Sequence, residues 1–186
     1  MSSSILIRVG GLAAMVGGIV YAGGSLLLAR GPLLGGEFFL YIDSFGSGFF
    51  AVLLPLGVMA AIAALHVLQR DRYGLPGALV SLLSLVCLAL AVGALMVGVT
   101  PNTISDCACL SVLGWSLLVA TFSIPVLGSL TITAGVLPRW CGVALIFGSP
   151  LVALLVAPLG GAAWALVGFA IFRAGAHQAQ QPSRVR

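Results

Sequence analysis

Arg8–Arg30 reads RVGGLAAMVGGIVYAGGSLLLAR, an uncharged apolar run enclosed by two arginines. A helix crossing the roughly 30 Å hydrocarbon core of a bilayer needs about 20 mostly apolar residues, at ~1.5 Å of rise each. Val9–Ala29 has that length. No small-x-small cleavage motif ends the run, so it reads as an uncleaved first transmembrane helix and not as a removed signal.

The rest of the chain has the same character. Of 186 residues, 61% are hydrophobic and 6% charged, and the mean hydropathy is +1.22. Soluble domains carry about 25% charged residues, so this chain has too few to cover a water-facing surface. Lipid is the solvent its composition fits. The eight basic residues are all arginines, scattered singly at the ends of apolar runs. Phosphate-binding surfaces cluster their basic residues on one face, so the net charge of +4 does not signal nucleic acid.

Four more boundaries complete the reading. A second helix starts near Gly48 and ends at Gln69, before RDRYG. A third covers about Gly77–Val99 and stops at Thr100-Pro101. A fourth runs from about Leu110 to Val136, ahead of LPRW. From Cys141 to Phe172 the apolar run is too long for one span. APLGG, Ala157–Gly161, supplies a break, because proline lacks a donor N–H and glycine is a poor helix former. Two helices are expected there, about 139–156 and 160–174. Both are short for full spans, which leaves a re-entrant hairpin as the alternative. The expectation is an all-α polytopic bundle of six transmembrane helices within residues 1–175, followed by a disordered cytoplasmic tail, 176–186.

Orientation follows from charge. With the N-terminus in the cytoplasm and six crossings, seven arginines lie inside and only Arg30 outside, the positive-inside pattern. Both termini are then cytoplasmic, in the inner membrane of a bacterium. Glu37, Asp43 and Asp106 face outward. Tyr73 and Trp140 beside inner arginines, and Trp115 and Trp164 near the outer face, fit headgroup anchoring. EFFLYIDSF, 37–45, reads as an outer-surface segment. Gly10, Ala14, Gly18 and Ala22, four apart, form a ridge that lets another backbone approach closely; Ala89 with Gly93 repeats it more briefly.

Chemistry-bearing residues are sparse. No Asp, Glu, Lys or Arg falls mid-span, which argues against proton-coupled transport and intramembrane carboxylate or metal catalysis. TPNTISDCACLS, 100–111, places Cys107 and Cys109 outside, where thiols meet an oxidising compartment. Three readings stay open: incidental thiols, a strained and exchangeable disulfide, or soft-metal capture helped by Asp106. Pro55, Pro125 and Pro150 should kink their helices. Thr121, Ser129 and Thr133 share a face beside Pro125; they either bond back to their own carbonyls or, with His66, line a small polar cavity. No cofactor is specified.

The whole chain resembles the small multi-pass membrane proteins of high-GC bacteria, through its helix pattern, RVGGLAAMVGGIVYAGG in the first helix and LPRWCG, 137–142, at the fifth. That resemblance implies a membrane bundle and no activity. The leading expectation is a non-enzymatic accessory or assembly subunit whose partners are the lipid bilayer and another membrane protein or its own copies. The alternatives are an oligomeric carrier or channel for a neutral solute or soft metal, and a thiol oxidoreductase using Cys107 and Cys109.

Overall fold

The structure, a computed structural model, describes residues 3–29, 45–98, 107–149 and 157–180. These residues form five helices: α1 (Ser3–Ala29), α2 (Phe45–Gly98), α3 (Cys107–Ala134), α4 (Arg139–Phe147) and α5 (Ala157–Gln180). Four of them are long and apolar enough to cross a membrane. The exception is α4, whose nine residues rise only about 13 Å.

α2 has 54 residues, which as a straight rod would measure about 80 Å, more than twice a hydrocarbon core. It is not straight. Gly74 has φ 62° and ψ −158°, a backbone region essentially closed to any residue with a Cβ. The arms 45–73 and 75–98 meet at this one residue. The sequence led us to expect a loop through RDRYG; instead Arg70, Asp71 and Arg72 remain helical and exposed, and the reversal needs Gly74 alone.

A chain of contacts shows that the second arm doubles back. Tyr73, before the bend, reaches Thr131 of α3, and Ser84, after it, reaches Ser123. Between those two α3 positions, Gly128 lies against Gly142 of α4. At the end of α4, Gly148 accepts a bond from Trp164 of α5. Trp164's neighbours, Gly161 and Ala165, lie on Gly18 of α1, and the adjacent Gly17 lies on Leu53 and Gly57 of the first arm. Travelling along α3 from Thr131 to Ser123 is therefore travelling from the bend toward Leu53, and the second arm makes that journey beside the first.

α1 is clasped on two sides. Gly10 and Gly17 meet Ala60, Ala64, Leu53 and Gly57 of α2, while Gly11 and Gly18 meet Gly168, Phe172, Gly161 and Ala165 of α5. Both pairings are antiparallel. The sequence ridge therefore divides: its steps of four become two stripes at steps of seven, one per neighbour. A Cβ on Gly168 would lie 2.5 Å from the Met15 nitrogen and 2.6 Å from the Gly11 oxygen. Such backbone approach replaces the hydrophobic drive that lipid, as apolar as leucine, cannot provide.

The core gathers Ile62, Leu65, Ile124, Leu127, Leu145, Val167 and Ile171. Large apolar side chains such as Val16, Leu82, Phe122 and Phe169 are exposed, as suits a surface solvated by acyl chains. The five described arginines collect at one end. Arg8 sits over the Phe172 ring, with its centroid 5.4 Å away, and packs near Gly175, close to Arg173. Arg70 and Arg72 flank the bend, and Arg139 opens α4. The Arg70–Asp71 pair, 3.6 Å apart and exposed, adds little to stability.

Two expectations about the last third change. Pro158 lies in the first turn of α5, where its missing N–H has no intrahelical acceptor to lose. α5 also runs to Gln180, past the expected start of the tail; residues 181–186 lie outside the described set. The helix expected over 139–156 is described to Phe147, followed by a turn at Gly148 and Ser149. The outer segment 37–45 falls almost wholly outside the described residues, as do Arg30 and Pro150.

Gly168→Ala should lower stability by about 1–3 kcal/mol, because its nearest obstacles are backbone atoms that move only with their helix. Gly93→Ala, with open space around the new methyl, should be neutral or up to about 1 kcal/mol stabilising. Gly74→Ala should cost about 1–3 kcal/mol through backbone strain alone. Unfolding midpoints in detergent titrations check all three.

Candidate functional site

The interior between the two α2 arms and α3 contains a seam of polar groups. His66, Gln69 and Tyr73 recur at steps of three and four along the first arm, so they share one face. Ser81 and Ser84 do the same on the second arm, and Ser116, Ser123 and Thr131 are buried on α3. None carries a fixed charge, which keeps their burial affordable at membrane depth.

Four members of the seam bond to one another and to their own helices. The Thr131 hydroxyl donates to Leu127 O at 2.8 Å, so the Tyr73 hydroxyl, 2.8 Å from Thr131 Oγ1, donates to it. The Ser84 and Ser123 hydroxyls lie 2.8 Å apart, with Val80 O and Ala120 O as further acceptors. At the other end of the bundle Trp164 Nε1 donates to Gly148 O at 2.7 Å, occupying a carbonyl at the end of α4. Tyr73 and Trp164 are therefore buried anchors with bonded polar tips, where the sequence suggested headgroup contacts. Trp115 and Trp140 are exposed.

Three members are left with unpartnered atoms. Gln69 is fully buried, and neither its Nε2 nor its Oε1 has a partner; the same holds for Ser81 Oγ and for His66 Nδ1. Sequence reasoning singled out His66 but missed Gln69 and Ser81. The signal was present in the shared face of His66, Gln69 and Tyr73.

The hydroxyls proposed as cavity lining sit elsewhere. Thr121 donates to Leu117 O, Ser129 to Pro125 O and Thr133 to Leu130 O, at 2.8, 3.1 and 2.9 Å. Ser129 and Thr133 are exposed, and Thr121 is half-buried. The face of α3 turned inward carries Ser116, Ser123 and Thr131.

Cys107 opens α3 and Cys109 follows within its first turn; their side chains, and Asp106 altogether, lie outside the described residues. Cys87 and Cys141 are buried free thiols on other helices. Among the described residues no three His, Cys, Asp or Glu side chains converge as a metal site. The sequence matches no protein-family model, and no curated protein or solved structure is significantly similar to it.

Trp164→Phe leaves Gly148 O without its donor and should cost about 1–3 kcal/mol. Ser129→Ala and Thr133→Ala remove hydroxyls bonded to their own helix on its outer face, with one exposed methyl lost at Thr133, and should change stability by less than about 0.5 kcal/mol. Chemical unfolding in detergent distinguishes the two classes.

Proposed function

We propose that this chain is a six-crossing protein of the bacterial inner membrane that serves as a non-enzymatic accessory or assembly subunit of a membrane complex. The observation that carries this reading is a strip of small residues left outward. Ala89 and Gly93, four apart on the second arm of α2, are exposed, and nothing lies within 4 Å of the position of a Gly93 Cβ. The equivalent strips on α1 are consumed by α2 and α5. A strip of the same kind with no neighbour in its own chain suits a helix from another subunit.

Six crossings are supported by the ends of the last two helices. α4 opens with Arg139 at the arginine-bearing end, whereas α5 begins at the opposite end, where Gly161 lies against Ala22 and Gly18. The passage from Arg139 to Gly148, which meets Trp164 near the start of α5, favours one more crossing there. The grouping of Arg8, Arg70, Arg72, Arg139 and Arg173 supports a cytoplasmic location for that end. The charge-poor interior supports a role without catalysis.

Purification in mild detergent should recover the chain with a partner membrane protein or as an oligomer, and Gly93→Leu should release it from that assembly without unfolding it. Recovery of the wild type as a monodisperse monomer contradicts the proposal. Orientation is checked separately: an impermeant maleimide should label Cys109 on intact, outer-membrane-permeabilised cells under reducing conditions. Labelling only after lysis reverses the topology.

A further inference from the structure

We propose that His66, Gln69 and Ser81 form a buried hydration site, holding ordered water between the two arms of α2 and α3. The bend at Gly74 sets the register. Gln69 precedes it by five residues and Ser81 follows it by seven, placing both about 8–11 Å along their arms; His66 lies about 12 Å along the first. The three side chains thus share one depth. They also lie on faces turned toward the same helix, α3. Tyr73, on the same face as His66 and Gln69, meets α3 at Thr131, and Ser84, on the same face as Ser81, meets α3 at Ser123.

The hydrogen-bond inventory at this depth is lopsided. Ser84, Ser123 and Thr131 all reach a carbonyl of their own helix, yet Ser81 does not. Gln69 adds two amide donors and one carbonyl acceptor, and His66 adds Nδ1, all buried and unpartnered. The Tyr73 and Thr131 hydroxyl protons are committed to each other and to Leu127 O, so neither is free to donate to Gln69. A primary amide sealed from both lipid headgroups and protein partners is rare in folded proteins. Bound water resolves it, because one water accepts and donates two to four bonds in a small volume and suits a mixed donor–acceptor lining. Among the described residues no charged side chain is buried, which fits a neutral occupant.

The full chain in liposomes, with water-edited solid-state NMR, tests the site. The Gln69 side-chain amide, assigned through its loss in Gln69→Leu, should receive magnetisation from water, with the exposed Arg72 guanidinium as positive control. In parallel, the effects of Gln69→Leu and Ser81→Ala on the unfolding equilibrium should depart from multiplicativity by at least about twofold, the signature of a shared water. No transfer to Gln69 while Arg72 responds overturns the proposal. Coupling without transfer also overturns it, in favour of a direct Gln69–Ser81 bond, and transfer without coupling removes Ser81 from the site.

Discussion

The architecture depends on backbone contact along α1. Acyl chains solvate leucine as well as another helix does, so apolar burial alone cannot hold these helices together. What can hold them is van der Waals contact at distances that side chains prevent. The doublets Gly10-Gly11 and Gly17-Gly18 allow this on two faces at once, the first glycine of each turned to α2 and the second to α5. Gly161, Gly168 and Gly175 on α5 keep the matching step of seven. α1 thereby sets the antiparallel register of both neighbours. Through α5 and Trp164 it also sets α4, and through α4 the position of α3.

Within that frame the polar groups carry specificity. A hydroxyl facing lipid can return its proton to its own helix, so it places no demand on a neighbour. The pairs Tyr73–Thr131 and Ser84–Ser123 do the opposite: they join the α2 arms to α3 in one register, and a slip by a turn would strand both. The indole of Trp164 does the same for α4 and α5. The unsatisfied layer at Gln69 is the departure from this economy, which is why it marks a place where something else binds.

The helical class and the location of most boundaries were legible in the sequence because hydrocarbon thickness leaves few choices for an apolar run. Details set by pairing were not. The connection after Gln69 read as a loop because Arg70, Asp71 and Arg72 are charged, yet exposed charges at a helix end leave the backbone ladder intact, and Gly74 alone turns the chain. The ridge on α1 was found, but a step of four cannot reveal that two neighbours divide it. On α3, Thr121, Ser129 and Thr133 and the inward Ser116, Ser123 and Thr131 are equally periodic; only the partner helix decides which faces in. Tyr73 and Trp164 illustrate the same limit, since an amphipathic ring is satisfied by headgroup water or by a buried acceptor. Residue spacing offers no way to separate the two.

The closest check on this account is a direct view of α1 against α5. In bilayers, protein labelled with 13C at glycine should show through-space correlations by solid-state NMR between Gly11 and Gly168 and between Gly18 and Gly161, pairs far apart in the chain. Those cross-peaks at short mixing times are the predicted result. Their absence, with intrahelical glycine correlations intact, would mean that the backbones do not touch and that the bundle is held by some other contact.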